Sequence, residues 1–555
     1  MNKQIVSPEL IFTNAAIYTA GASAGWANAI AVRDGIITAV GEADQVAELS
    51  GPDTTTIDLG GKMMMPGIID VHTHLMLGGQ SAAWELAIEP TASIDEVIEI
   101  IAREATSSVA GAWIIGGLVG SLAMNEITNA SFLARLDAAS AGHPVLLRDD
   151  TQHNRWVNSV TLGLMGVDDD TPDLPGGVYV RDSDGNLTGV MWELASRHAE
   201  EVAISATPNQ DARNAVSARR AIEVLNSFGI TGTQEAATFE SALRAFRDLD
   251  QAAQLNAWVV SSLPARDFVI GVGDVGERLF DKAEQYRTEH VRPDFVKAVV
   301  DGIPMSYTAA FLEPYAGSHD HGHAYRGETY FTLPDLVRLL DTCHSRGLGC
   351  KLHATGDGAV RQILDAVEII RSLRGPGPTF QIAHVEFVSP DDLPRFAELG
   401  VVADMSPAMW FPSPMSLAID AVLPPDVMKR MWPLRELVDS TATVAAGSDW
   451  PCAMPVPDPW IGIETMVTRT NPDGAYPGVL NADQALTLAE VIQTYTINPA
   501  KAIGLGSVTG SLEVGKSADL IVLNQNIFDI DPACIHDTKV EQTYFAGRLV
   551  YEGSQ

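Results

Sequence analysis

Short apolar runs recur through the middle of the chain, each followed by a turn and then a stretch with helical spacing. Eight stand out: GIIDVHTH, GITGTQEAA, LNAWVVSS, FVKAVVDG, LGCKLHATGDG, FQIAHVEF, GVVADMSP and ATVAAGSDW. Most are continuously apolar rather than alternating, which is how strands buried on both faces read. Strands alternating with helices indicate a parallel sheet. Eight of them predict an α/β fold, a closed (β/α)8 TIM barrel over residues 67–500.

The two ends of the chain follow another pattern. Residues 1–66 read as short strands between turns, and Asp34-Gly35 offers the positive φ angles of a tight hairpin. Residues 501–555 repeat the signature in GSLEVGKSADLIVLN and VEQTYFAGRLVYEG, with Ala546-Gly547 at a turn. Strands at both termini predict one small composite β-sandwich assembled from the two ends. Over residues 84–202 the barrel rhythm lapses. DLPGGVYVRDSDGNLTGVMWE, with Asp184-Gly185 at its turn, reads as a hairpin within an insertion after the first strand.

Composition narrows the class. Hydrophobic residues make up 46% and charged residues 19% of the 555, the balance of a folded globular protein. Lysine and arginine number 36 against 71 acidic residues, a net charge of −35. A surface that negative repels nucleic acid and anionic lipid, so neither is expected as a partner; a small, neutral or cationic substrate is favoured. The four cysteines, Cys343, Cys350, Cys452 and Cys534, form no CxxC pair and read as free thiols of a reducing compartment. The N-terminus lacks the basic start and apolar core of a secretion signal, and no run approaches the roughly 18–20 apolar residues of a membrane span. A soluble cytoplasmic enzyme is expected, with a homodimer as the default assembly.

Barrel active sites are built at the C-terminal tips of the strands, so the polar residues there carry the chemistry. The first predicted strand ends in His72-Thr73-His74, and residues two apart in a strand point to one face. Both imidazoles can therefore reach one cation. Lys297 interrupts the apolar fourth run, where an unpaired ammonium is costly to bury. The fifth run ends with His353, the sixth with His384 and the eighth with Asp449. Four histidines, a lysine and an aspartate from runs one, four, five, six and eight would converge on one mouth and predict a metal site. Imidazole with carboxylate suits zinc, or manganese, iron, cobalt or nickel, as one or two divalent ions. A deprotonated Lys297 could take up CO2 as a carbamate and offer two oxygens to bridge two cations.

In this arrangement the sequence resembles the amidohydrolase superfamily over nearly its whole length. GIIDVHTH, FVKAVVDG, KLHATGDGA, IAHVEF and GSDWP match that family's motifs in order, flanked by MPG and TINPAKAIGL…GSLEVGKSADLIVL. VKAVVDG…TAAFLEPY, HATGDGAV and GSDWPCAMPVPDPW are most similar to the N-substituted formamide deformylase branch. The resemblance implies that His72 and His74 hold the more buried metal and His353 and His384 the second. It also implies that carboxylated Lys297 bridges the two and that Asp449 touches the buried one. Water activated on the metal would attack an amide-type C–N bond, of the N-formyl or N-acyl amine class, with Asp449 as general base and then acid. An ester, lactone or carbamate hydrolase is the alternative, and a non-catalytic regulatory protein the third reading. His153, in DDTQHNRWVNS, falls in a run similar to one lining the family's pocket and could donate to the substrate carbonyl as a catalytic or binding residue. Trp410, with Phe411, and Trp450 follow the seventh and eighth runs and could line an apolar acyl or aryl pocket. His319, His321 and His323 are expected in a loop covering the mouth. Asp301 and Gly302 should shape the turn after Lys297, and Asp357 should orient a ligand.

Overall fold

Eight segments that keep almost all their residues from solvent form the central sheet: β1 Ile68–Thr73, β2 Ile230–Glu235, β3 Trp258–Pro264, β4 Val291–Val299, β5 Gly349–Ala354, β6 Phe380–His384, β7 Val401–Met405 and β8 Thr443–Ala446. The computed structural model describes residues 7–21, 25–267, 271–317, 322–452 and 454–553. In it these strands pair in chain order, all parallel, from β1 through β8. The helices between them, such as Leu333–Arg346 and Asp357–Arg374, bury their leucine and isoleucine faces on the sheet. The sheet curls until its two outer strands meet. Where β1 ends and just beyond β8, Thr73 and Trp450 form a parallel bridge, the His74 N–H donates to Trp450 O and the Asp449 N–H donates to His72 O, both at 2.7 Å. The result is a nearly closed eight-stranded parallel barrel.

Between β1 and β2 the chain builds a six-stranded sheet, including Ile114–Val119, Val145–Asp149, Asn154–Val157 and Leu187–Glu193. Alternate residues of its strands serve opposite faces. Leu147 and Trp156 pack with Val97, Ile101 and Leu136, while Leu146 and Val157 pack with Met191, Ala195 and Ala199. The termini meet below. Met63–Pro66 pairs in parallel with Ala16–Tyr18 and antiparallel with Leu520–Leu523. Phe12, Ile30 and Ile37 of a four-stranded sheet share a core with Met64, Leu520, Val522 and Tyr544 of this six-stranded one. Two tight turns take the positive φ values they require, Asp34-Gly35 at 51° and 74° and Ala546-Gly547 at 46° and 72°. The N-terminal end of β3 is tied to this region, for Trp258 Nε1 donates to Asp519 Oδ2 at 2.9 Å.

Candidate metal centre

The hydrogen bonds that close the barrel also assemble its polar mouth. Asp449 lies against His72 because the β8 end hydrogen-bonds to the β1 end. Asp70 reinforces this seam: its Oδ1 accepts from the backbone N–H of both His72 and Ser448, each at 3.0 Å. His74 has left the strand and stands at the N-cap position of the helix Leu75–Trp84, with no side-chain bond to the helix end. One donor atom from each of His72, His74 and Asp449 lies within 4.8 Å of the others, and among the described residues this is the one such group. Asp449 Oδ1 stands 3.5 Å from His72 Nε2 and 3.4 Å from His74 Nε2.

These separations fit a shared cation. Donors held about 2.0–2.1 Å from a tetrahedral zinc stand roughly 3.3–3.4 Å apart. Asp449 Oδ1 is buried with no hydrogen-bond partner, so a cation is what would satisfy it. Metal ligation needs neutral imidazole, and the site supplies it. Burial, then the charges of Lys297 and Lys351, hold His72 well below the usual histidine range. Burial lowers His74 as well, despite Asp449. His353 falls to about 3, again from burial and then Lys297, and burial with His353 and Lys297 pushes His384 far down. Lys297 itself is brought to about 8 by burial and by Lys351.

The second pair of histidines stands beside the first. The ring centroids of His353 and His384 are 4.6 Å apart, and those of His384 and His72 are 4.8 Å apart. Lys297 Nζ lies 3.2 Å from His72 Nε2, the atom that also faces Asp449. His384 and Asp449 take φ of 74° and 60°. Non-glycine residues held in that region are uncommon and collect at functional sites.

The sequence pattern of the amidohydrolase family matches residues 55–551. The chain belongs to the amidohydrolase family. Membership makes it a metal-dependent hydrolase, and the His-His-Asp group could hold a divalent cation. This amidohydrolase is 28% identical over 555 residues to the N-substituted formamide deformylase of Arthrobacter pascens, covering 98% of each chain. It is 27% identical over 558 residues to the protein LONG AFTER FAR-RED 3 of Arabidopsis thaliana, covering 98% of this chain and 91% of that one. Its fold is that of an uncharacterized metal-dependent hydrolase from Pyrococcus horikoshii OT3, with a TM-score of 0.74 at 24% identity, over 94% of this chain and 99% of the other.

Several residues around the candidate site were not singled out by sequence reasoning. Asp404 of β7 accepts from His72 Nδ1 at 3.0 Å, and the same oxygen pairs with Lys351 Nζ of β5. Glu235, the last residue of β2, accepts the Leu75 N–H, and burial raises its carboxyl to about 8 against that bond. Glu193 holds His153 Nδ1 at 3.0 Å. The signal for Lys351 was available, since a lysine two positions before His353 on one strand faces the same way.

Other residues take places of their own. Asp301 bridges the loops after β4 and β5 by accepting the N–H groups of Ala310, Thr355 and Gly356. Asp357 holds the Leu312 N–H at 2.8 Å and Arg430 at 3.2 Å, rather than a histidine of the site. Trp410 is buried and stacks on Trp432 at 5.6 Å, while Trp450 packs against Gly78 and donates to Pro455 O. His323 lies in an exposed turn; His319 and His321 fall outside the described residues.

Proposed function

We propose that this amidohydrolase cleaves an amide-type C–N bond in an N-formyl or N-acyl amine. The observation that carries the reading is the group of His72, His74 and Asp449 at cation-matching separations. End-to-end similarity to an N-substituted formamide deformylase supports the substrate class. His72, His74 and Asp449 would hold one cation, zinc by the chemistry of the donor set, and His353 with His384 a second. A bound cation supplies Lewis acidity, drawing electron density from a carbonyl oxygen and lowering the pKa of water.

The chain's own groups do the rest. Asp449 takes a proton from the attacking water as the O–C bond forms. It returns that proton to the nitrogen as the C–N bond breaks, so the products are a carboxylic acid and an amine. Lys297, as the neutral amine, adds to CO2 with loss of one proton, and the carbamate offers two oxygens to the cations. His153 would donate to the substrate carbonyl, its other nitrogen held by Glu193. Trp410 and Trp450, buried at the β7 and β8 tips, would back the acyl side of the pocket. In this reading the sheet between β1 and β2 is an insertion walling the mouth, and the terminal sheets are a sandwich beneath the barrel.

The test is a panel of N-alkyl and N-aryl formamides and acetamides set against esters and lactones, with chelated protein reconstituted with Zn2+. Turnover of a formamide with the highest kcat/KM in the panel is expected. An ester or lactone ahead of every amide would overturn the substrate class.

A further inference from the structure

A histidine that ligates a metal must aim one ring nitrogen at the cation while something holds the other. For His72 the holder is built into the barrel interior. Its Nδ1–H donates to Asp404 Oδ2 at 3.0 Å, which leaves Nε2 facing Asp449 Oδ1. Lys351 Nζ grips that same Asp404 oxygen, and Asp404 Oδ1 is buried with no hydrogen-bond partner. All three side chains are fully buried.

Barrel geometry explains how they meet. His72, Lys351 and Asp404 come from β1, β5 and β7, and side chains from alternate strands share a layer inside such a barrel. Those layers are ordinarily filled by branched aliphatic residues. Here one is ionic. Lys351 is the register partner of Lys297 on β4 and of Gln381 on β6, yet its ammonium reaches past Gln381 to the aspartate on β7. Stability gives no account of this layer, because exchanging a buried ion pair for apolar residues of similar volume is often neutral or stabilising. Orientation of His72 does account for it.

We propose that Lys351 and Asp404 form a positioning pair that holds His72 with Nε2 toward the cation, Lys351 anchoring the carboxylate oxygen that His72 uses. The proposal rests on the metal reading of the site and is independent of the substrate class.

The test uses the full-length chain freed of metal by a chelator and titrated with Zn2+ against a chromophoric competitor, with thermal melting of the metal-free protein in parallel. Asp404→Asn and the double variant Lys351→Met/Asp404→Leu are compared with wild type. Both are expected to raise the Zn2+ Kd about ten- to a hundredfold, while the metal-free double variant melts at or above the wild-type temperature. A double variant that folds and binds Zn2+ with the wild-type Kd would overturn the proposal. So would one that fails to fold, since the pair would then be serving the fold. Wild-type protein that binds Zn2+ but prefers esters would sink the amide reading and leave this result standing.

Discussion

Asp449 sits at φ 60°, a conformation that asparagine adopts at least as readily as aspartate. Asp449→Asn should therefore keep the fold and much of the Zn2+ binding while losing the proton acceptor. A fall in kcat of about 10²–10⁴-fold is expected, with Zn2+ content by elemental analysis within twofold of wild type. His153 offers a second test. Burial opposes its imidazolium, but the Glu193 bond and the charges of Glu193 and Asp149 outweigh this and raise the group above the usual histidine range. Glu193→Gln should let His153 lose its proton at lower pH. If His153 donates as the cation, the alkaline limb of kcat/KM moves to lower pH, and NMR titration of labelled histidine reports the same shift directly. The candidate ligand residues were legible because a strand's period of two and its terminal position are written locally. Asp404 was not, since nothing near it in the chain says that it meets a histidine 332 positions earlier.

Among the elements, the seam between β1 and β8 carries the most for the site. A methyl group on Gly447 would stand 2.5 Å from His72 N and 2.9 Å from Asp70 Oδ1. Gly447→Ala must push the two strand ends apart, at a cost of about 1–3 kcal/mol, and Zn2+ binding should weaken along with the denaturation midpoint. The sheet between β1 and β2 depends on charge. Glu200 accepts from Arg148 Nε and Arg155 Nε, each at 2.7 Å. Burial works against its carboxylate, yet the two guanidinium groups hold it at about 2. A carboxyl lowered on folding stabilises above its unfolded pKa of about 4.3 and loses that contribution as pH falls toward the folded value. Glu200→Gln should cost about 3–5 kcal/mol at pH 7, and its difference from wild type in urea unfolding should shrink between about pH 4 and 2. The run over residues 84–202 broke the barrel rhythm visibly in the sequence. Its six-stranded sheet did not show there, because short mixed strands carry little periodicity of their own.

At the scale of the whole molecule, a net charge of −35 surrounds the site with a negative field. For a cationic amide, kcat/KM should fall as NaCl is raised through the range where the screening length shrinks below about 10 Å; for a neutral amide it should hold. Stopped-flow or steady-state rates across a salt series separate the two. No helix among the described residues is long and apolar enough to cross a membrane. The sequence by itself determined the number of barrel strands, the face on which His72 lies, the tip positions of His353, His384 and Asp449, and the charge of the surface, because each follows from local periodicity or simple composition. Closure of the barrel decided the rest. It set β8 beside β1, so that Asp449 met His72 and His74, and it let β5 and β7 reach β1 across the interior. The longest of these contacts, such as His72 to Asp404, join residues hundreds of positions apart, and only the geometry of a closed sheet determines which strands meet.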